Sequence, residues 1–141
     1  MKPKVVLTGA TGYIGRHVLE HLLKRGVMVT AIVRKREGRL EARLGKETVQ
    51  GLEVLEGDVT TTLCGLSESQ ISGLKDVQAF IHCAGMTQFE THLEQELNRQ
   101  NVTGTKNAYA LAEKLAARHF HHVSTAFIAG NGDQSFKNPY E

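Results

Sequence analysis

Short apolar segments alternate with amphipathic segments along the whole chain. Apolar runs rich in β-branched residues, which are typical of buried strands, occupy residues 4–8, 27–34, 52–59, 77–85 and 119–130. Apolar residues at helical spacing predict helices over residues 13–25, 39–45, 67–74 and 91–117. Strands that are apolar throughout belong to parallel sheets covered by helices on both faces. The pattern therefore predicts an α/β fold with a doubly wound parallel sheet of about five strands.

Two residues, Ser67 and Gly104, add detail to the predicted helices. Ser67 stands where a helix N-cap is expected, just before a predicted helix. Gly104 lies inside the longest predicted helix, where glycine costs about 1 kcal/mol relative to alanine. We therefore expect another part of the chain to approach Gly104 closely.

Size and charge narrow the class of protein. The 141 residues, 40% of them apolar, suffice for one compact domain, and we take residues 1–141 as that domain. A net charge of +2, with one basic run at 34–39, argues against a nucleic-acid partner. The chain lacks the stretch of about 18 apolar residues that would span a membrane. A strand at the N-terminus without a signal-peptide pattern favours the cytoplasm.

Cysteines and histidines are not spaced as metal ligands. Cys64 and Cys83 are too few for a disulfide framework and are predicted to be small buried residues. His17 and His21 are four residues apart, but Val18 replaces the glutamate that a zinc-binding HExxH helix requires. We expect no metal site.

A glycine-rich turn joins the first predicted strand to the first predicted helix. The segment "GATGYIG" spaces Gly9, Gly12 and Gly15 three residues apart. These glycines permit a tight turn, a close approach of backbone to a pyrophosphate, and close packing of helix on sheet. A plain strand-to-helix turn would need only one or two of them. We therefore predict a dinucleotide site, whose contacts in this segment include Gly9, Thr11, Gly12, Tyr13, Ile14, Gly15 and Arg16.

Basic residues follow the second predicted strand. NAD sites carry an acid roughly 20 residues after the glycine turn, whereas an arginine accommodates the 2′-phosphate of NADP. Here Arg34, Lys35 and Arg36 precede the first acid, Glu37. The pattern favours NADP (NADPH) over NAD, with Arg34 as the binding residue. A solvated charged loop is the alternative.

Taken together, several motifs resemble a known family. The segments "TGATGYIG", "GDV", "HCAG", "NVTGT" and "HVSTAFIAG" are similar to those of the extended short-chain dehydrogenase/reductases, and the resemblance covers residues 4–140. "VSTAFIAG" and the final "NPYE" resemble most the thioester reductase and fatty acyl-CoA reductase branch. The resemblance implies a Rossmann domain and NADPH-dependent reduction of carrier-bound or CoA-bound acyl thioesters.

The same resemblance assigns cofactor contacts after the third and fourth strands. Asp58 and Val59 match the positions that hold the adenine ring in the family. Cys83, Ala84 and Gly85 match the small residues that lie against the ribose of the cofactor. Ordinary turns at strand ends would also favour such residues.

The resemblance further implies the catalytic residues. Asn101, which we count among the cofactor-binding residues, matches a helix residue that supports the active-site lysine through water. Ser124 matches the catalytic serine that binds the substrate carbonyl. Tyr140 matches the tyrosine of a Tyr-x-x-x-Lys motif, in which the lysine charge brings the tyrosine pKa down from about 10. The position of that lysine lies beyond Glu141. We therefore expect the chain to be the cofactor-binding part of a reductase, lacking the C-terminal strands and the substrate region.

Three functions remain open at this point. The first is reduction of an acyl thioester or aldehyde carbonyl, with a small-molecule or carrier-bound acyl substrate. The second is a non-catalytic NADP-binding or redox-sensing module, which would require neither Ser124 nor Tyr140. The third is a sugar-nucleotide epimerase or dehydratase, which shares the motifs up to Ser124. The sequence leaves homodimer formation undecided.

Overall fold

The computed structural model describes residues 2–34, 50–88 and 90–124. Its five strands are β1 (Lys4–Thr8), β2 (Met28–Val33), β3 (Leu52–Glu56), β4 (Val77–His82) and β5 (His119–His122). All neighbours pair in parallel, in the order β3-β2-β1-β4-β5. This is the strand order of a Rossmann fold. The predicted doubly wound parallel sheet is confirmed.

Helices connect the strands across both faces of the sheet. They are α1 (Tyr13–Lys24), α2 (Glu68–Gly73), α3 (Glu94–Leu97) and α4 (Gly104–Lys114), with a π-helical segment (Asn98–Thr103) joining α3 to α4. The helix predicted over 39–45 lies outside the described residues. The long helix predicted over 91–117 is present. In its middle, the π-helical segment replaces the i→i−4 hydrogen bonds of an α-helix with i→i−5 bonds. No described helix has the length and apolar character needed to cross a membrane.

Several strands are shorter in the structure than the predicted runs: the second loses one residue at each end, and the fifth, predicted over 119–130, ends at His122. The third and fourth show the reason. The third ends at Glu56 instead of residue 59, because its partner on β2 ends at Val33, which pairs with Glu56. The fourth ends at His82 instead of residue 85, opposite Thr8 at the end of β1. An apolar run marks burial, whereas a strand ends where its ladder partner ends.

The core consists of two layers, one on each face of the sheet. Consecutive residues of β1 serve both layers: Val6 packs with Phe80 and Leu111 on one face, and Leu7 packs with Leu19 on the other. The central strand is therefore buried from Val5 to Thr8, as parallel pairing under two helical layers requires.

Both single-residue expectations about the helices are confirmed. Ser67 Oγ accepts a hydrogen bond from the backbone N–H of Gln70 at 3.3 Å, and Gln70 Oε1 accepts from the backbone N–H of Ser67 at 2.9 Å. This reciprocal pair is a capping box. A Cβ at Gly104 would lie 3.0 Å from Val59 Cγ2, so glycine lets the helix approach the segment after β3.

Candidate functional site

A cleft opens at the carboxyl ends of the central strands. Its volume is about 240 Å³. It lies where β1 and β4 meet, at the point where the connections leave in opposite directions, which is the usual ligand site of such sheets. Its wall is formed by Gly9, Thr11, Gly12, Ile32, Val33, Arg34, Gly57, Asp58, Val59, Cys83, Ala84, Gly85 and Gln100.

The glycine turn leaves no room for a side chain at Gly9 or Gly15 and little at Gly12. Gly9 has φ +76°, and a Cβ there would lie 2.4 Å from the backbone nitrogen of Ala84. A Cβ at Gly15 would lie 2.0 Å from the carbonyl oxygen of Gly9, and one at Gly12 would lie 3.3 Å from the same oxygen. Glycine at these positions therefore lets β1, α1 and the end of β4 converge on the cleft.

The start of α1 is built to receive an anion. Gly12 is its N-cap, and the described residues provide no capping side chain and no acid in the first turn. Helix starts leave backbone N–H groups without intrahelical partners, and these groups with the helix dipole favour a phosphate. The turn thus fits the pyrophosphate of a dinucleotide.

Some predicted contacts lie off the wall of the cleft. Tyr13 is 80% exposed and packs edge-on against His17, with 5.0 Å between ring centroids, and Ile14 is also exposed. Arg16 reaches Glu20, with 3.8 Å between Nε and Oε1. Gly15 acts through packing on Gly9, as described above. None of these four residues lines the cleft.

Asp58 is held by its own turn. Its Oδ1 accepts hydrogen bonds from the backbone N–H and the hydroxyl of Thr60, both at 2.8 Å. Its backbone N–H donates to the carbonyl of Cys64 at 2.9 Å. The segment after β3 therefore presents Asp58 and Val59 to the cleft in a fixed conformation.

The segment after β3 is hydrogen-bonded to a turn whose residues have left-handed backbone conformations. Leu63, Cys64 and Gly65 have φ values of 50°, 56° and 73°. Non-glycine residues in this region cost on the order of 1–3 kcal/mol each, so packing must hold them there. Cys64 is completely buried, and burial, followed by the nearby carboxylate of Asp58, raises its pKa to about 12. The expectation of a buried Cys64 is confirmed.

The segment after β4 forms the opposite wall. Asn101 grips it from the π-helical segment: Oδ1 accepts from the backbone N–H of Met86 at 2.7 Å, and Nδ2 donates to the carbonyl of Met86 at 2.9 Å. A Cβ at Gly85 would lie 3.3 Å from Asn101 Oδ1. Asn101 thus positions this wall from behind instead of lining the cleft. Cys83 lies on the wall and is only half-buried, so the prediction of a buried Cys83 is wrong, because the cleft exposes this side of the segment. Its partial burial raises the pKa of its thiol.

A second cavity continues from the first beyond Arg34. Its volume is about 560 Å³. It is lined by Arg34, Glu56, Gly57, Asp58, Thr61, Gly65 and Arg99. Arg34 borders both cavities together with Gly57 and Asp58 of the segment after β3. Sequence reasoning missed Gln100 and Arg99, which line these cavities from the π-helical segment.

The predicted catalytic residues are placed only in part. Ser124 is exposed and follows β5, where the backbone N–H of Val123 donates to the carbonyl of His82 at 2.9 Å. Tyr140 lies outside the described residues, as do Lys35 and Arg36. The histidines and cysteines of the described segments form no cluster that could hold a metal ion.

Comparison with known proteins agrees with this architecture. A ketoreductase of Stigmatella aurantiaca, which acts on 4-hydroxy-2-methyl-3-oxo-4-farnesyl-3,4-dihydroquinoline-1-oxide, is 29% identical over 92% of this chain and 35% of its own length. Human fatty acyl-CoA reductase 1 is 28% identical over 90% of this chain and 28% of its own length. The chain spans about a third of the length of these relatives.

A solved structure shows the same arrangement. The terminal R domain from the myxalamid PKS-NRPS biosynthetic pathway superposes with a TM-score of 0.80 at 27% identity, covering 95% of this chain and 37% of that domain. The family model described as "Male sterility protein" matches residues 7–141. The chain resembles this R domain and fatty acyl-CoA reductase 1. It therefore belongs to this family of NAD(P)-binding extended short-chain dehydrogenase/reductases.

Proposed function

We propose that the chain is the cofactor-binding part of an NADPH-dependent reductase that acts on an acyl thioester or aldehyde carbonyl. The observation that carries the proposal is the position of Arg34. It directly follows β2 and borders both cavities, beside the turn that holds Asp58. A guanidinium at this position suits the 2′-phosphate of NADP, whereas an acid would suit the ribose hydroxyls of NAD.

Other residues take supporting roles in this proposal. The N–H groups at the start of α1 bind the pyrophosphate, and Asp58 and Val59 hold the adenine. When bound, the reduced nicotinamide supplies a hydride to the carbonyl carbon. Ser124 orients the carbonyl by donating a hydrogen bond to its oxygen, and Tyr140 donates the proton that this oxygen receives.

Calorimetry of NADPH and NADH binding to the chain tests the choice of cofactor. We expect tighter binding of NADPH, and we expect Arg34→Ala to weaken NADPH binding about tenfold or more while leaving NADH unchanged, because a charge-assisted contact is lost. Arg25→Ala, which removes an exposed arginine from the far end of α1, is the matched control. Equal affinities for the two nucleotides, or a preference that survives Arg34→Ala, would overturn the assignment.

Turnover separates the reductase from its alternatives. The 141-residue chain alone should oxidise NADPH negligibly with an acyl thioester, because the relatives that it matches are about three times as long. In a longer protein that carries this chain, NADPH oxidation should depend on thioester, and Ser124→Ala should lower kcat. NAD-dependent epimerisation would favour the epimerase alternative, and cofactor binding without any turnover would favour the sensing module.

A further inference from the structure

A completely buried histidine lies at the centre of the sheet, directly behind the cleft. His82 ends β4, and both it and Thr8 at the end of β1 have no exposed surface. They are the only buried polar side chains among the described residues. Buried polar groups are costly unless they are hydrogen-bonded, so the partners of His82 indicate what it does there.

The hydrogen bonds of His82 have a defined direction. Thr105 Oγ1 donates to the carbonyl oxygen of Asn101 at 2.7 Å, because a carbonyl can only accept. Thr105 Oγ1 therefore accepts from His82 Nε2, at 3.2 Å, and the imidazole proton lies on Nε2. His82 Nδ1 must then accept from the hydroxyl of Thr8, at 2.7 Å. The chain runs Thr8, His82, Thr105, Asn101, always in the donating direction.

Both ends of this chain lead to the walls of the cleft. Thr8 directly precedes Gly9, which begins the glycine turn. Asn101 lies in the π-helical segment and holds both backbone groups of Met86, next to the wall residue Gly85. Such π-helical turns are rare and occur frequently at functional sites. The backbone N–H of Gly104 bonds to the carbonyl of Arg99, five residues back, as that pairing requires.

We propose that His82 is a positioning residue for the cofactor: through Thr105 it fixes the π-helical turn, so that Asn101 holds the 83–86 segment against the dinucleotide. The part of this inference that concerns affinity rests on the proposed function. The part that concerns geometry, namely that His82 fixes the turn from which Asn101 holds Met86, does not rest on it. The hydrogen bonds between Asn101 and Met86 form without a ligand.

The two nitrogens of the imidazole can be tested separately. Asparagine at position 82 places its amide near the position of Nδ1, so His82→Asn keeps the bond to Thr8 and loses the bond to Thr105. Glutamine reaches the position of Nε2, so His82→Gln keeps the bond to Thr105. Thr105→Val removes the hydroxyl and should have the same effect as His82→Asn. Thr105→Ser keeps the hydroxyl and should resemble the wild type. His121→Gln, which changes an exposed histidine of β5, is the control.

Hydrogen exchange of the Met86 amide measures how firmly its hydrogen bond to Asn101 is held. We expect exchange to accelerate about tenfold in His82→Asn and Thr105→Val, as for the loss of one hydrogen bond, and to stay near wild type in His82→Gln. NADPH binding should weaken by a similar factor in the same two variants. Nitrogen NMR should show His82 protonated on Nε2.

The outcomes distinguish this inference from the proposed function. If His82→Asn and His82→Gln accelerate exchange at Met86 equally, or neither does, then His82 only stabilises the core and the inference is wrong. If the wild-type chain binds neither NADPH nor NADH, the proposed function fails, while the exchange pattern still decides whether His82 positions the wall. Protonation on Nδ1 would also overturn the proposed direction of the chain.

Discussion

Replacing Gly15 by alanine tests whether the glycine turn is required by packing. The new Cβ would lie 2.0 Å from the carbonyl oxygen of Gly9, 2.6 Å from its carbonyl carbon and 3.1 Å from the nitrogen of Ala10. All three atoms are backbone, so no side-chain rotation relieves the overlap. Ordinary contact requires α1 and the turn to separate by more than about 1 Å in a close-packed interior.

The energy of this change follows from two opposing effects. Overpacking of this kind costs about 1–3 kcal/mol or more, while alanine regains about 1 kcal/mol of helix propensity. Gly73→Ala is a matched control in α2, because a Cβ there would meet no atom within 4 Å. The control should be neutral or stabilising by up to about 1 kcal/mol. Both variants gain this propensity, so we expect them to differ in unfolding free energy by the overpacking cost alone, roughly 1–3 kcal/mol or more.

Urea denaturation followed by circular dichroism measures this difference, and calorimetry measures NADPH affinity. Displacement of the first turn of α1 should weaken NADPH binding at least about tenfold in Gly15→Ala, because the N–H groups that face the pyrophosphate move with it. Gly73→Ala should bind like wild type. If Gly15→Ala were as stable as Gly73→Ala and bound NADPH normally, the close approach of Gly15 to Gly9 would have no consequence and the reasoning would be wrong.

Three further predictions concern stability and thiol chemistry. Ser67→Ala removes the capping box of α2 and should lower the unfolding free energy by about 1 kcal/mol in urea denaturation. Ser67→Asp keeps a capping oxygen and should lower the unfolding free energy by less. Equal decreases in the two variants would contradict a capping role. Burial, followed by the neighbouring His122, lowers the pKa of His82 to about 4. As pH falls below about 6.5, the unfolded chain therefore binds this proton before the folded chain does, and up to about 3 kcal/mol of stability should be lost between pH 6.5 and 4. Denaturation curves across that range should be less steep in pH for His82→Gln, and identical slopes would exclude His82 as the source. Because the pKa of the buried Cys64 thiol is raised to about 12, Ellman's reagent should label the half-buried Cys83 first and Cys64 only on unfolding, and equal rates would show that Cys64 is accessible.

Elements with a local signal were predictable from the sequence. The alternation of apolar runs with helical patterns predicted the order of strands and helices, and strand polarity followed from the connections. The spacing of Gly9, Gly12 and Gly15 located the turn at the head of the cleft. The capping residue Ser67 was recognisable because a capping box is complete within four residues. Each of these signals is contained in a short window of sequence.

Features that depend on distant partners were not predictable. The third strand was expected to reach residue 59, but it ends at Glu56 because Val33, on another strand, ends the ladder. Nothing in the local sequence marks Cys64 as a left-handed residue, since the burial that stabilises this conformation comes from the packed core. Gln100 and Arg99 reach the cavities through the π-helical segment, which interrupts an otherwise regular helical pattern.

The sequence by itself determined the fold class, the glycine turn and the basic end of the second strand, because these properties arise from residues close together in the chain. The tertiary structure alone decided how Asn101 acts and gave His82 a role, since both depend on hydrogen bonds between strands and a helix far apart in sequence. A histidine in a strand pattern has no local signature of its partners. Only the convergence of β1, β4 and the π-helical segment brings Thr8, His82, Thr105 and Asn101 into one chain of hydrogen bonds behind the cleft.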